Sequence, residues 1–102
     1  MSSVSTEDWR PDLEIGTGAE EHLLFDVGEV RAGLTRFAET EDLVVWTLPA
    51  REIFMVLEGK ARIEIADGPT LELEPGDIAS LPEGAETTWH LTTPFKELWV
   101  LA

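Results

Sequence analysis

One carboxylate stands out among the residues that could do chemistry. Glu52 directly precedes the run Ile53 to Leu57, which contains only apolar side chains. Burying a carboxylate beside such a run is costly unless a partner satisfies it, and burial raises its pKa towards the range used in proton transfer. Glu52 is therefore our candidate catalytic acid or base. The alternative is a solvated carboxylate, or one paired with a cation such as Arg51.

Besides Glu52, the two histidines are the candidate metal ligands, because the sequence contains no cysteine. If Thr87, Trp89 and Leu91 share one face of a strand, His90 lies on the opposite face by the period-2 rule. His22 begins an earlier apolar segment, and its facing is open. No serine has an evident base partner, and no phosphate-binding glycine loop is present, so neither a hydrolase triad nor nucleotide binding is predicted.

Short strands must position these residues. Alternating or β-branched segments recur at roughly 8–12-residue spacing, with Gly, Pro and Asp clusters between them, which is typical of an all-β barrel or sandwich. No helix is predicted. The predicted turns lie at residues 58–59, 67–69, 75–77 and 82–84. The predicted strands, about nine in number, are His22–Val27, Val30–Phe37, Leu43–Leu48, Ile53–Leu57, Lys60–Ala66, Thr70–Glu74, Ile78–Leu81, Thr87–Thr92 and Phe95–Leu101.

The length of 102 residues allows one domain and one core. Residues 1–20 are polar and acidic, which predicts a flexible or partner-docking arm, with Trp9 and Ile15 as apolar exceptions that could dock. Residues 21–102 are predicted to form the barrel. The N-terminus has no basic start followed by an apolar stretch, and the longest apolar run is too short to cross a membrane, so we expect a cytoplasmic protein.

The charge of the chain excludes several partners. The net charge is −14, from 21 acidic and 7 scattered basic residues. Such a surface repels both a phosphate backbone and an anionic lipid head group. We therefore predict that the protein binds neither nucleic acid nor membranes.

The region of residues 43–101 resembles the cupin family. Glu52 and Gly59 fit the end of the first cupin motif, in which six residues separate Glu from Gly. Gly76, Pro82 and Gly84 fit the second motif, Gly, five residues, Pro, one residue, Gly. Trp89 and the Pro94-Phe95-Lys96 segment match the small single-domain Cupin_3 group related to (S)-ureidoglycine aminohydrolase. The resemblance implies a jelly-roll barrel, or double-stranded β-helix.

Metal-binding cupins place two histidines before this Glu and a third after the second motif. By the resemblance, those positions fall on Trp46, Leu48 and Thr87, so only Glu52 remains. Metal sites in proteins normally need three or four ligands. We therefore expect no bound metal and no cofactor.

The resemblance also indicates which side chains line the barrel. The expected lining is apolar and aromatic around one carboxylate, and it suits a small organic molecule carrying a cation or a hydrogen-bond donor. The same aromatic side chains could instead be ordinary core. The predicted ligand-binding residues are Trp46, Leu48, Glu52, Phe54, Thr87, Trp89 and Leu91.

Three functions stay open from the sequence. The first is a metal-free cupin that binds a small molecule in its barrel. The second is a small aminohydrolase-, lyase- or isomerase-like enzyme that uses Glu52 as acid or base. The third is a non-catalytic interaction module. A homodimer is expected because relatives commonly dimerise and small barrels have edge strands to cover; the predicted interface comprises residues 22–37 and Trp9.

Overall fold

The computed structural model describes residues 9–12, 18–39 and 43–102, which form strands and turns without a helix. All strand pairs are antiparallel, so the predicted all-β class is confirmed. No helix in this part of the chain is long and apolar enough to cross a membrane. The strands are β1 (Arg10–Pro11), β2 (Ala19–Val27), β3 (Val30–Phe37), β4 (Val44–Thr47), β5 (Glu52–Ile65), β6 (Thr70–Leu73), β7 (Ile78–Leu81) and β8 (Glu86–Leu101).

Two long strands, β5 and β8, build both layers of the molecule. Their outer halves, residues 52–56 and 97–101, pair with each other and are flanked by β7 on one side and by β3, β2 and β1 on the other. Their inner halves pair over residues 60–65 and 87–92 and are flanked by β6 and β4. We call these the first layer and the second layer. Because the same strands run through both, the layers are joined as in a jelly roll.

The predicted turn at Glu58-Gly59 is wrong. β5 continues through it, and the chain only bulges there, with register shifts on both sides of Glu58. Gly59 has a φ of 79°, and a Cβ at this position would collide with the carbonyl oxygens of Thr92 and Pro94. A glycine and a turn-like dipeptide therefore mark a bend between layers rather than a chain reversal. The break predicted at Pro94 is likewise absent, since β8 passes through it.

Part of the predicted N-terminal arm is a strand. Arg10 and Pro11 pair with Glu21 and Glu20 of β2, and the Trp9 ring lies 4.1 Å from the Arg36 guanidinium carbon. Trp9 therefore docks on its own barrel. Ile15 and most of the remaining arm lie outside the described residues.

The core lies between the two layers. Strand alternation turns every second residue of β5 and β8 inward, and these include the most deeply buried side chains, such as Phe54, Val56, Ile63 and Phe95. The Phe54 and Trp89 rings come from different layers and stand 5.1 Å apart between centroids. This apolar core fixes the position of the start of β5 and the end of β8, where Glu52 and Leu101 are paired.

Candidate functional site

A cavity of about 250 Å³ lies at the end of the barrel where β5 begins and β8 ends. Most of its walls belong to the first layer, and Trp46 of β4 closes it from the second layer. The lining residues are Pro11, Asp12, Glu21, Arg31, Thr35, Trp46, Glu52, Glu97, Trp99 and Leu101. The wall is therefore mixed, with two indoles among several ionisable groups.

Glu52 is the first residue of β5, and its side chain faces the cavity. It is 5% exposed, and one carboxylate oxygen, Oε1, is buried without a hydrogen-bond partner. Burial raises the pKa of Glu52 from 4.5 to about 7, although a hydrogen bond from the Trp46 side chain lowers it in part. Glu52 can thus hold or release a proton near neutral pH.

Glu97 is a second buried carboxyl group in the same cavity. It is also 5% exposed, and its Oε2 atom has no hydrogen-bond partner. Burial raises the pKa of Glu97 well above its usual value, and the negative charges of Glu52 and Asp12 raise it further. Because the two carboxyl groups interact, their protons leave in two steps that belong to the pair rather than to either residue.

Two indole N–H groups around the site donate hydrogen bonds to threonine hydroxyl oxygens. Trp99 Nε1 donates to Thr35 Oγ1 at 2.7 Å, and Trp89 Nε1 donates to Thr87 Oγ1 at 2.8 Å. Thr87 in turn donates its hydroxyl proton to the Trp46 carbonyl oxygen at 2.6 Å. These bonds fix the orientations of the rings. The rings of Trp46 and Trp99 then present apolar surface to the cavity.

The structure separates the predicted ligand-binding residues into three groups. Trp46 and Glu52 line the main cavity. Trp89 and Leu91 line a neighbouring void of about 20 Å³, which both Glu52 and Glu97 also border. The other three residues are packed in the interior: Leu48 and Phe54 belong to the apolar core, and Thr87 is held by its hydrogen bonds.

Several cavity residues were absent from the sequence prediction. Glu97 had a clear signal, because alternation from Phe95 through Trp99 to Leu101 places it on the buried face. Asp12 had none, since it follows the two-residue strand β1, which no alternation in the sequence marks. The other unpredicted lining residues are Pro11, Glu21, Arg31, Thr35, Trp99 and Leu101.

The donor set does not fit the metal site that the cupin resemblance implies. The histidine positions of that site hold an indole, an alkyl group and a hydroxyl already engaged in hydrogen bonds, at Trp46, Leu48 and Thr87. Among the residues described by the structure, no three His, Asp or Glu side chains form a group that could hold a metal ion. No step through a metal is therefore derived for this site.

Neither histidine supplies a replacement ligand. His90 lies on the outer face of the second layer, as alternation predicts, and its Nε2 is 2.8 Å from Glu64 Oε1. His22 lies on β2, with its ring centroid 6.1 Å from that of Trp9. Both therefore serve contacts away from the Glu52 carboxylate.

Comparison with known families gives one match. A family model described as the EutQ-like cupin domain matches residues 44–97, which is more than half of the chain. The matched region contains Glu52 and Glu97, together with all of β5 and most of β8. No curated protein matches the chain. The comparisons give no support to the link with ureidoglycine aminohydrolase.

Solved structures share the fold. A putative ethanolamine utilization protein EutQ from Salmonella typhimurium LT2 is 27% identical, with a TM-score of 0.65, and the match covers 81% of this chain and 68% of that one. A protein of unknown function from Rhizobium leguminosarum is 22% identical, with a TM-score of 0.70 and coverage of 84% and 82%. An RmlC-like cupin from Shewanella frigidimarina is 19% identical, with a TM-score of 0.77 and coverage of 96% and 86%.

Proposed function

The chain belongs to the EutQ-like cupin domain family, and on that basis we propose that it binds a small polar organic molecule in its barrel cavity without a metal. One observation carries this proposal: two buried carboxyl groups, each with one oxygen that lacks a hydrogen-bond partner, line a cavity of about 250 Å³. A buried polar atom without a partner is costly, and a ligand would supply the missing partner.

The size of the cavity limits the ligand. Sites for drug-sized molecules usually measure about 300–1,000 Å³, so a cavity of about 250 Å³ suits a compound of few heavy atoms. The two indoles provide apolar surface, and the carboxyl groups provide the polar contacts. A small amine, alcohol or amide meets these requirements.

Thermal denaturation with a panel of small amines, alcohols, amides and acids tests this function. Ethanolamine is included because one structural neighbour is described as a putative ethanolamine utilization protein. A ligand that binds the native state raises the melting temperature in proportion to its concentration relative to Kd. We expect at least one compound to do so. No shift with any compound would contradict the proposal.

A cavity-filling variant locates the binding. Leu101→Trp enlarges a buried side chain in the cavity wall and should abolish the thermal shift. Leu43→Trp makes the same change at an exposed residue outside the cavity, and should leave the shift intact. Equal shifts in both variants would place binding elsewhere.

Acid–base catalysis by Glu52 is the second candidate function. The observation that favours it is the burial of Glu52 in the cavity wall, which raises its pKa to about 7, near the pH where a general acid or base works best. Glu52→Gln should then abolish turnover of any substrate found while still allowing its binding. Retained turnover would eliminate this candidate.

We also propose that a second copy of the chain is the protein partner. The proposed surface differs from the predicted interface of residues 22–37 and Trp9, because the Trp9 ring lies against Arg36 of its own chain. Apolar side chains lie on the side of the first layer that faces away from the core, where β5, β7 and β8 meet. We call this patch the outer face. Its residues are neighbours in the strand register: Ile53, Met55, Ile78, Leu98 and Val100. Ile53 and Ile78 are 47% and 66% exposed, so a second copy on this patch would remove apolar surface from water.

A further inference from the structure

We propose that the cavity ligand is a small organic cation, an ammonium group with apolar substituents held between Glu52 and Glu97. This inference rests on the proposed function, because it names the ligand class for the same cavity. Three independent features of the wall support it: the unpartnered oxygens, the balance of charge and the aromatic rings.

The unpartnered oxygens indicate what is missing from the site. Glu52 Oε1 and Glu97 Oε2 are acceptors when ionised, and both are buried away from water. A carboxylate in such a place is stabilised by a positive charge or by an N–H donor. A cationic ligand supplies the charge to both carboxylates at once, which a neutral ligand cannot.

The charge of the wall has the sign required for a cation. The carboxyl groups that face the cavity come from four elements: Asp12 after β1, Glu21 on β2, Glu52 on β5 and Glu97 on β8. Arg31 on β3 is the single guanidinium in this wall. Carboxyl groups therefore outnumber cations in this wall, so it has more groups that can balance the charge of an entering cation than of an entering anion.

The aromatic rings suit the substituents of an ammonium. Trp46 and Trp99 border the cavity from opposite layers, and their N–H groups already donate to Glu52 and Thr35. The ring surface they leave is apolar and carries a negative quadrupole, which attracts alkylated ammonium groups. An ammonium with methyl or short alkyl substituents contacts the rings and the carboxylates together.

Binding of a cation should release protons. The pKa of each carboxyl group is raised in the free protein, mainly by burial. A bound positive charge favours the ionised form, so protons leave as the cation enters. Affinity should therefore rise with pH, by up to about tenfold per pH unit for each proton displaced, and level off only once both carboxyl groups are ionised in the free protein.

Calorimetry with a matched pair of probes tests the inference. Choline and 3,3-dimethylbutan-1-ol have nearly the same shape, but only choline carries a charge. We expect choline to bind at least tenfold more tightly, with proton release detected as a dependence of the heat on buffer ionisation enthalpy. Equal affinities, tighter binding of the alcohol, or binding of neither probe would overturn the inference.

Two variants test whether the carboxylates of Glu97 and Glu52 bind the cation. Glu97→Gln keeps the size of the side chain and removes its charge, and it should weaken choline at least tenfold at pH 8 without changing the binding of the alcohol. Glu52→Gln should act in the same way if Glu97→Gln does not fold. Glu83→Gln removes an exposed carboxylate outside the cavity and serves as the control. Choline affinity unchanged in both cavity variants would overturn the inference.

These outcomes separate the two proposals. If neutral compounds from the thermal panel bind, Leu101→Trp blocks them and choline does not bind, the cation inference fails and the proposed function stands. If choline binds equally well to the Leu101→Trp variant, cation binding lies outside the cavity and the cation inference fails. The proposed function fails if Leu101→Trp also leaves the thermal shifts of the panel compounds unchanged.

Discussion

At the scale of single residues, the fold opposes the ionisation of two of its own side chains. Glu52 and Glu97 are buried by strand alternation, and each has one carboxylate oxygen without a hydrogen-bond partner among the described residues. A carboxyl group whose pKa is raised on folding binds its proton more tightly in the native state than in the unfolded chain. Its ionisation therefore costs stability, which makes the stability of the whole protein sensitive to pH.

We expect the free energy of unfolding to fall as pH rises from about 4.5 to 7. Below this window Glu52 is protonated in both states, and within it only the native state keeps the proton. The pKa of about 7 corresponds to a loss on the order of 3 kcal/mol by pH 8. Urea denaturation at pH 5 and pH 8 measures this loss.

The Glu52→Gln variant is the control for that pH dependence. It removes the ionisable group and keeps its size, so the variant should be more stable than the wild type at pH 8 and lose less stability across the window. A residual slope is expected from Glu97, whose pKa is raised in the same direction. A wild-type slope identical to that of the variant would contradict the prediction.

Trp46 should tune the pKa of Glu52. Its side-chain hydrogen bond lowers that pKa, because it stabilises the carboxylate form. Trp46→Phe removes the donor and should raise the pKa of Glu52 further, by about one unit or less. Carboxyl-carbon NMR titration measures it directly. Trp89→Phe removes a donor that serves Thr87 instead, and a comparable shift in that variant would contradict the assignment.

At the scale of elements, local sequence patterns predicted strand positions better than strand continuity. The alternation from Lys60 to Ala66 marks the inner half of β5 closely. Glycine and proline, however, also occur where a strand bends, so Gly59 and Pro94 were interpreted as ends. Whether the chain reverses there depends on pairing with a distant strand, which a local pattern does not contain.

Gly59 should tolerate no side chain. Gly59→Ala combines a positive φ with a collision against two backbone carbonyl oxygens. Gly76 has a similar φ but open space around it. Gly76→Ala should therefore cost only the strain of a positive φ in an alanine, about 1–2 kcal/mol of unfolding free energy. We expect Gly59→Ala to cost about 2 kcal/mol more than this in urea denaturation. Equal costs would show that the close approach is unimportant.

At the scale of the whole molecule, the family motifs predicted the barrel, and they named one side of the site. Glu52 and Trp46 lie in or near the first motif, and both line the cavity. Glu97 follows the second motif and could have been found from alternation alone. Asp12, which follows β1, and Arg31 of β3 lie outside the matched region, and their strands reach the cavity only because β3 pairs with the distant β8.

The outer face should hold two copies together. Ile78 is 66% exposed in the single chain, and Ile78→Lys places a charge on the β7 side of this apolar patch. We expect a dimer of the wild type at micromolar concentration, and a monomer of the variant, in sedimentation velocity. Burying an unpaired lysine at an interface costs more than a small interface can offset.

Val45→Lys is the matched control for that experiment. Val45 is 71% exposed and belongs to β4 of the second layer, away from the outer face. This variant should remain dimeric. A monomeric wild type, or dissociation of both variants alike, would contradict the outer face as the contact between copies.

The pairing of β5 with β8 has a consequence for the order of folding. Ile65 and Thr87 are the paired residues closest in sequence, and Glu52 and Leu101 are the most distant. Since closing a shorter loop costs less entropy, pairing of β5 with β8 should begin in the second layer. The segments that carry Glu52 and Glu97 should pair last. Glu52→Gln should then slow unfolding at pH 8 and leave the refolding rate unchanged, whereas Ile63→Val should slow refolding in stopped-flow experiments.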